Sequence, residues 1–324
     1  YYYYVRRILI RPLGTLHHAA IGLVESKMEG LSDFRVEVNT GDELEDLAHS
    51  FQYMVAELNE YIRNLSRVTA EKERIGAELD VARHIQASML PCIFPAFPER
   101  HEFDIYASMT PAKEVGGDFY DFFKLPHGKI GVVIGDVSGK GIPAAILMAL
   151  CQTKLRYIAM SGKSPAQTLC LLNSEMVHAM RSDMFITIIY LVIDPESGEA
   201  KFARAGHEPP LLARADSDEA AQPLKSSGMA LGMVSEELFD EVMEDASFKM
   251  NSGDVLVLYT DGLTEAANPE GGEFTAKKLA QTISTLRSRN ANDLNDEIIK
   301  SVESFMGPGN KYGDDLTLLT VKKI

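Results

Sequence analysis

The chain has 324 residues, of which 45% are hydrophobic and 24% are charged. This apolar content excludes a wholly disordered chain, and the length allows about two domains at roughly 150 residues each. The 47 acidic residues outnumber the 32 basic ones and give a formal net charge of -15. A surface this acidic argues against a nucleic-acid partner, whose phosphates it repels, and suits a protein that binds metal cations.

The first residues are aromatic and basic, as is typical of the cytoplasmic end of a transmembrane helix. Tyr1 to Tyr4 are followed by Arg6, Arg7 and Arg11, and no stretch reaches the roughly 18 apolar residues of a membrane span. We therefore expect a membrane anchor upstream of this sequence, which makes the chain the cytoplasmic portion of an inner-membrane protein. The cysteines form no CxxC pair, as expected of free thiols in a reducing compartment.

Two helices are predicted in the first 90 residues. Apolar residues at three- and four-residue steps predict a helix over 9–28, closed by Gly30. A second helix begins at Gly41–Glu43 and carries a longer seam of apolar residues at alternating three- and four-residue steps. Only Lys72 and Gln86 of this seam are polar. Such a seam predicts a coiled coil, for which a parallel homodimer is the simplest arrangement. Its positions are Leu44, Leu47, Phe51, Met54, Leu58, Tyr61, Leu65, Val68, Lys72, Ile75, Leu79, Ala82, Gln86 and Met89.

The pattern changes at Pro91, because proline cannot continue a helix. Beyond it, short apolar runs come in clusters and helical stretches in pairs. This arrangement favours an α+β domain in which packed antiparallel sheets are flanked by helices. The predicted strands are 103–109, 119–125, 130–136, 185–193, 200–205, 210–213, 254–260 and 316–322. The predicted helices are 142–161, 165–181, 275–288 and 292–305.

Acidic residues lie at four strand ends in a similar local pattern. Asp136 and Asp261 each end an apolar run, Asp118 follows two glycines, and the pair Asp314–Asp315 precedes the last strand. A carboxylate is costly to desolvate there unless a positive group meets it, and hard divalent cations bind such oxygens. One Asp-Gly at a strand end is usually a turn, but four similar positions together indicate a metal site.

Other polar residues near strand ends are interpreted as structural. Asp121, Asp194 and Asp254 border strands without the flanking glycine pattern, or lie in plain turns. His207, in Ala-Gly-His-Glu-Pro-Pro, is expected to serve a turn or packing role rather than to act as a catalytic acid.

Six motifs follow one another between Ala82 and Leu318. They are Ala82-Arg-His-Ile-Gln-Ala-Ser-Met-Leu-Pro, Val115-Gly-Gly-Asp-Phe-Tyr-Asp, Gly135-Asp-Val-Ser-Gly-Lys-Gly, Ala205-Gly-His, Tyr259-Thr-Asp-Gly-Leu-Thr-Glu and Gly313-Asp-Asp-Leu-Thr-Leu. With these motifs, residues 81–324 resemble the metal-dependent PPM family of protein serine/threonine phosphatases. The most similar branch is the bacterial SpoIIE/RsbU-like one, which acts on phosphorylated anti-sigma-factor antagonists.

The first part of the chain resembles a HAMP signalling module. Arg11-Pro-Leu lies near its start and Gly41-Asp-Glu-Leu near its second helix, although Glu45 replaces a glycine that is usual there. Together the two resemblances imply a HAMP-like module over 1–63, a coiled-coil linker helix over 64–90 and a PPM-type phosphatase domain over 91–324. The implied fold is an antiparallel β-sandwich flanked by helices, preceded by an all-α dimerisation region.

The phosphatase resemblance also implies the roles of individual residues. Asp136 would bridge two Mn²⁺ or Mg²⁺ ions, and the backbone carbonyl of Val137 would join one of them. The other implied ligands are Asp118, Asp261 and Asp314, with Asp315 as a supporting ligand or a ligand of a third ion. Asp118, Asp136 and Asp261 are the implied catalytic residues.

Two positions depart from the pattern of animal relatives. Those proteins carry a histidine two residues beyond the bridging aspartate, where this chain has Ser138. They also grip phosphate with an upstream arginine that has no equivalent here. Lys113 and Lys140 are candidate substitutes by charge alone.

We therefore expect a metal-dependent phosphatase that acts on a phosphorylated regulatory protein, of the anti-sigma-factor antagonist type, under HAMP and coiled-coil control. A nucleotide cyclase is an alternative, because Gly116-Gly-Asp-Phe-Tyr is superficially similar to GGDEF, but the acidic upstream strand is missing. A histidine kinase that uses His84 would need ATP-binding boxes that the sequence lacks. A catalytically degenerate signalling scaffold is the non-enzymatic alternative; the intact acids oppose it.

Overall fold

The computed structural model describes residues 2–25, 31, 34–310 and 312–324. The chain divides into two compact units, Tyr1–Glu78 and Leu79–Ile324. Among the described residues, no helix combines the length and the apolar content that crossing a bilayer requires.

The first unit is helical. Helix α1 (Tyr2–Val5) leads through a π-helical turn into α2 (Arg11–Glu25). The predicted helix over 9–28 is confirmed to Glu25, while its last residues and Gly30, like Tyr1, lie outside the described residues. A small core of Leu16, Val36, Val38 and Ala48 stabilises the unit.

Helix α3 (Glu43–Met89) is one continuous helix, as predicted from the seam. The Asp42 carboxylate accepts the Leu44 N–H at 3.0 Å and so caps the first turn. Three acidic residues in that turn interact favourably with the positive end of the helix dipole. Seam residues in the first unit, such as Leu65 at 55%, are exposed in the single chain. The helix ends before Pro91, whose ring cannot be accommodated in a continuing helix.

The second unit contains two five-stranded antiparallel sheets. Sheet A has the order β1-β10-β9-β6-β7, and sheet B has the order β2-β3-β4-β5-β8. The strands are β1 (Phe103–Thr110), β2 (Phe119–Lys124), β3 (Ile130–Val137), β4 (Ile186–Ile193), β5 (Glu199–Ala205), β6 (Leu211–Ala213), β7 (Gln222–Pro223), β8 (Ala246–Lys249), β9 (Val255–Tyr259) and β10 (Leu316–Lys323).

Helices flank both sheets, as the sequence predicts for an α+β domain. Helices α4 and α5 pack on sheet B, and α8 and α9 pack on sheet A. The helices are α4 (Ile142–Ala159), α5 (Pro165–Val177), α6 (Glu236–Val242), α7 (Asp261–Thr264), α8 (Thr275–Leu286) and α9 (Ala291–Met306), with a 3-10 turn at Pro126–Gly128. One hydrophobic core includes residues of both sheets, and a second lies between sheet A and its helices.

The eight predicted strands and four predicted helices of this unit are confirmed within a few residues at their ends. Strand β3 is buried on both faces, which explains its continuous apolar sequence, whereas β1 alternates between buried and half-buried residues. Strands β7 and β8 and helices α6 and α7 were not predicted. All four are too short for an apolar repeat to be recognised in the sequence.

Candidate active site

The buried carboxylate of Asp118 connects the two sheets. Asp118 directly precedes β2 of sheet B, and its side chain is only 1% exposed. Its Oδ2 accepts hydrogen bonds from the hydroxyls of Thr260 at 2.7 Å and Thr317 at 2.6 Å, both from sheet A segments. Burial, followed by the nearby charge of Asp136, raises the pKa of Asp118 well above its usual range.

Asp136 lies at the end of β3, one residue before the strand stops. In the strand register it is opposite Thr187 of β4. Burial is the largest cause that raises its pKa to about 7, and the charges of Asp261 and Asp314 add to the effect. A hydrogen bond with Asp118 acts in the opposite direction. These mutual effects place four of the predicted ligands in one cluster.

The two more exposed members of the cluster are Asp261 and Asp314. Asp261 begins α7 and is separated from β9 by Thr260 alone. Its pKa is raised by burial and then by the charge of Asp314. Oδ2 of Asp314 lies 2.9 Å from Nζ of Lys140. Lys140 also donates to the Gly313 carbonyl at 2.6 Å. Lys140 is therefore a cationic side chain held directly at the edge of the cluster.

Asp315 holds the loop that leads to Asp118. Its Oδ1 accepts the N–H of Ala112 at 2.8 Å, and its Oδ2 accepts the N–H of Gly117 at 2.7 Å and that of Asp118 at 3.4 Å. A Cβ on Gly116 would overlap the Asp315 carboxylate, so the glycine is required for this approach. With both oxygens engaged by backbone N–H groups, Asp315 supports the other aspartates through the loop.

A second glycine lets the Val137 carbonyl face the cluster. A Cβ on Gly117 would lie 2.5 Å from that carbonyl oxygen and 3.4 Å from Oδ1 of Asp136. Real Cβ contacts are longer, so any other residue here would displace the backbone. Similarly, a Cβ on Gly262 would overlap the Asp315 carbonyl. The glycines next to the aspartates therefore permit close backbone approach, as the sequence pattern suggests.

The donor chemistry of this cluster fits a hard divalent cation. Its groups are carboxylate and carbonyl oxygens. A bound positive charge would offset the burial that raises the pKa values of Asp118, Asp136 and Asp261. Within the described ranges, no three His, Cys, Asp or Glu side chains form a finished ligand set as they stand. Asp314 is instead paired with Lys140. A cation bound at Asp314 would therefore compete with Lys140 for this carboxylate.

His207 links the two sheets next to the aspartates. It is 3% exposed, its Nδ1 lies 2.8 Å from the Thr187 hydroxyl, and its Nε2 lies 3.1 Å from the Tyr259 carbonyl. Because a carbonyl only accepts, Nε2 carries the proton and Nδ1 accepts from Thr187. Burial lowers the pKa of His207 to about 4, which keeps it neutral. The predicted packing role is confirmed.

Ser138 replaces the histidine of animal relatives, and Lys113 and Lys140 are the candidate phosphate-binding lysines; these three residues lie in different environments. Ser138 accepts the Phe185 N–H at 2.8 Å through its hydroxyl and bonds the Phe185 carbonyl through its own N–H, so it serves the backbone. Lys113 is exposed and makes no ion pair among the described residues. Of the two candidate lysines, only Lys140 reaches the aspartate cluster.

The end of α3 is hydrogen-bonded to the loop that carries Asp118. Gln86 is 7% exposed; its Nε2 donates to the Gly116 carbonyl at 2.7 Å, and its Oε1 accepts the Gly116 N–H at 3.1 Å. Gly116 is two residues from Asp118. The sequence analysis placed Gln86 in the coiled-coil seam as a weak position. The structure shows it packed within the second unit, where it fixes the site loop.

The three aspartates interpreted as structural have partners of their own. Asp121 forms two hydrogen bonds with Arg156, the shorter at 2.6 Å, and Asp254 pairs with Arg214 at 2.8 Å. Asp194 accepts backbone N–H groups of its own turn. These interpretations are confirmed.

Sequence reasoning missed the groups that hold the aspartates. Thr260 and Thr317 are fully buried, and both bond Asp118 from the other sheet. The available signal was a hydroxyl residue inside an apolar run, as in Leu316-Thr-Leu-Leu-Thr-Val. A buried hydroxyl requires a partner, so such positions indicate a polar contact without identifying it.

The chain matches known families over most of its length. Residues 126–323 match the family described as Stage II sporulation protein E (SpoIIE), and residues 4–60 match the HAMP domain. Protein IcfG of Synechocystis sp. is 28% identical over 94% of this chain and 52% of its own length. Phosphoserine phosphatase RsbU of Bacillus subtilis is 27% identical over 86% of this chain and 81% of its own length. The chain thus spans about half of one of these relatives and about four fifths of the other.

Solved structures share the fold of the second unit. The RsbU and RsbW domains of Rv1364c from Mycobacterium tuberculosis align with a TM-score of 0.57 and 27% identity, over 68% of this chain and 60% of that one. The SiaA-PP2C domain of Pseudomonas aeruginosa aligns with a TM-score of 0.68 and 21% identity, over 79% of this chain and 99% of that one, which shows the fold alone. The chain belongs to the SpoIIE family: a PP2C-type phosphatase domain preceded by a HAMP domain.

Proposed function

We propose that this chain is a metal-dependent phosphatase that hydrolyses phosphoserine or phosphothreonine on a bacterial regulatory protein. The observation that carries the proposal is the meeting of Asp118, Asp136, Asp261 and Asp314 between the two sheets, where burial and neighbouring carboxylate charges raise the pKa values of the first three. The relative named phosphoserine phosphatase RsbU supports the same activity. An anti-sigma-factor antagonist is the proposed substrate.

The proposed mechanism assigns tasks to the residues of the cluster. Asp118, Asp136, Asp261 and Asp314, with the Val137 carbonyl, would hold two Mn²⁺ or Mg²⁺ ions. When bound, such ions lower the pKa of water and neutralise charge on phosphoryl oxygens.

Other residues of the chain keep these ligands in place. Thr260 and Thr317 fix one oxygen of Asp118 and leave its other oxygen for a ligand. Asp315 anchors the backbone of the Asp118 loop. Lys140 can turn from Asp314 toward an anionic substrate, since its ammonium lies at the edge of the cluster.

A cysteine nucleophile is not part of the proposed mechanism. Cys151 is fully buried, and desolvation raises its pKa to about 12, so its reactive thiolate is not formed near neutral pH. Cys92 is exposed but lies in the segment that follows α3, outside the aspartate cluster. Hydrolysis by direct attack of water on the phosphoryl group therefore suits the site better than a covalent phosphoenzyme.

Phosphate release from a phosphoserine-bearing STAS-type antagonist of the same genome tests the proposal. We expect release that requires Mn²⁺ or Mg²⁺ and is lost in Asp136→Asn. Asp254→Asn is the matched control, because Asp254 is a buried aspartate of the same unit that pairs with Arg214 outside the cluster. Full activity in EDTA, or in Asp136→Asn, would contradict the proposed metal site.

We also propose that the chain is a parallel homodimer through its HAMP domain and α3. An apolar groove in the first unit is lined by residues such as Leu13, Leu47 and Phe51. Leu47 is 52% exposed and Leu65 is 55% exposed, although both belong to the apolar seam. Burial of this seam against a second copy is the expected source of stability. Light scattering on Leu65→Glu should give a monomer; an unchanged dimer would refute the interface.

The membrane assignment is likewise a proposal. Tyr2–Tyr4 followed by Arg6 and Arg7 suits the junction between a membrane helix and the cytoplasm. We propose that the chain is the cytoplasmic portion of an inner-membrane protein. Fractionation of cells that produce the natural protein tests this proposal. We expect the protein in the membrane pellet, and recovery in the soluble fraction would contradict the membrane assignment.

A further inference from the structure

A cavity of about 710 Å³ lies at the end of sheet B that is opposite to the aspartate cluster. Its walls are the β2–β3 turn and the α4–α5 turn, and its floor includes Tyr190 and Val192 of β4. In the strand register, Asp136 is opposite Thr187, whereas Ile130, six residues earlier, is opposite Ile193. At roughly 3.3 Å per residue the two ends are about 20 Å apart, so the cavity is separate from the candidate active site.

The lining of this cavity is basic, although the chain as a whole is acidic. Four lysines line it, and none of them forms an ion pair within the part of the chain that the structure describes. Only two acidic residues, Asp194 and Glu199, share the lining. The lysines are Lys129, Lys163, Lys201 and Lys249.

The two acidic residues offset only half of the four lysine charges. Asp194 uses one carboxylate oxygen to accept the N–H groups of Glu196 and Ser197 in its own turn. Glu199 is opposite Lys249 in the register of β5 and β8, yet no ion pair joins them. Unpaired positive charge collected in one concave surface attracts an anion, most strongly one with several charges.

Tyr190 gives the floor an aromatic side chain. It is fully buried, and its ring stacks on Phe123 with centroids 6.4 Å apart. Desolvation raises the pKa of Tyr190, so its hydroxyl stays protonated near neutral pH and can donate a hydrogen bond.

Part of the lining is apolar and suits a ring. Leu125, Pro165 and Val192 lie beside Tyr190 in the same cavity. Pockets of about 300–1,000 Å³ with apolar walls and a few polar groups are typical of small-molecule sites. We propose that this cavity binds a nucleotide, with its phosphates on the lysines and its base against the apolar floor.

Calorimetric titration of the whole chain with ATP, in EDTA, tests the proposal. Without divalent metal the aspartate cluster repels anions, so binding there does not compete. We expect a dissociation constant below about 1 mM. Tripolyphosphate is the second probe, and it should bind at least about tenfold more weakly because it has no ring to place on the floor.

Variants locate the binding. Lys201→Glu with Lys249→Glu should weaken ATP binding by at least about tenfold through loss and reversal of two charges. Lys225→Glu with Lys277→Glu makes the same change of charge on exposed lysines elsewhere and should leave binding within about twofold. Thermal melting of each variant checks that the chain is folded.

Several results would overturn the inference. These are no ATP binding at millimolar concentration, equal losses in the two lysine pairs, and tripolyphosphate binding as tight as that of ATP. Either of the first two results would show that the cavity does not bind ATP. The third would show that the ligand is recognised by its phosphates alone and not by its base. None of these measurements depends on phosphatase activity, so the inference can fail while the proposed function stands.

Discussion

Replacing Asp136 with asparagine is expected to stabilise the metal-free protein and to abolish its stabilisation by Mn²⁺. In the folded chain the pKa of Asp136 is raised from 3.8 to about 7 by burial and by the charges of Asp261 and Asp314. Ionised Asp136 therefore destabilises the metal-free fold. Asparagine keeps the shape of the side chain and can donate a hydrogen bond to Asp118, but it carries no charge.

The magnitude follows from the raised pKa. The difference between 3.8 and about 7 corresponds to about 4 kcal/mol at pH 8, at ~1.4 kcal/mol for each tenfold change in proton affinity. The neighbouring carboxylates also repel one another, and this part of the electrostatic destabilisation remains after the substitution. We therefore expect a gain of about 2 kcal/mol, or roughly 4–8 °C in Tm for a domain of this size.

The effect has a defined pH dependence. A carboxylate with a raised pKa is protonated in both the folded and the unfolded state below pH 3.8, so it costs nothing there. As the pH rises from 3.8 to about 7, the unfolded state loses the proton first and metal-free stability falls. The difference in Tm between Asp136→Asn and the unmodified chain should therefore be largest near pH 8 and roughly a third as large at pH 5.

Thermal melts followed by circular dichroism, in EDTA and in Mn²⁺ at both pH values, measure these changes. Asp254→Asn is the control, because that aspartate accepts hydrogen bonds from Arg214 and the N–H groups of Asn251 and Ala215. It should be destabilised equally with and without metal. If metal-free Asp136→Asn melts at or below the unmodified chain at pH 8, the electrostatic reasoning is wrong.

Further substitutions test the surrounding contacts. Gln86→Ala removes two hydrogen bonds to the site loop and should lower kcat about 3- to 10-fold in phosphate-release assays; unchanged kcat would contradict its positioning role. Thr317→Val removes a donor to Asp118 and should weaken Mn²⁺ affinity by about 10-fold in calorimetry, with unaltered affinity as the contrary result. Arg156→Met leaves Asp121 buried without its partner and should cost about 2–3 kcal/mol in denaturant unfolding, with or without metal.

The strands and the positions of the aspartates could be predicted because both are local properties. Strand β3 is buried on both faces, so its sequence is apolar up to Asp136, and the change to a carboxylate marks the strand end. Glycines beside Asp118 and Asp261 mark close backbone approach in the same way. These signals lie within a few residues of each other, where sequence patterns are most informative.

The contacts that hold the site could not be predicted, because they join segments far apart in the chain. Thr317 bonds Asp118 across 199 positions, and His207 reaches Tyr259 across 52. Gln86 fits the heptad spacing of the seam, and only the fold reveals that it bonds Gly116 instead. Sequence spacing determines the face of a helix, while tertiary packing decides what covers that face.

We expect the aspartates of both sheets to form one dinuclear metal centre. Anomalous diffraction at the manganese absorption edge, from crystals grown with Mn²⁺, locates the ions. Two manganese peaks about 3.5–4 Å apart are expected, both in contact with the Asp136 carboxylate and flanked by Asp118, Asp261 and Asp314. Manganese bound elsewhere, or a single ion without Asp136 as a ligand, would rule out this centre.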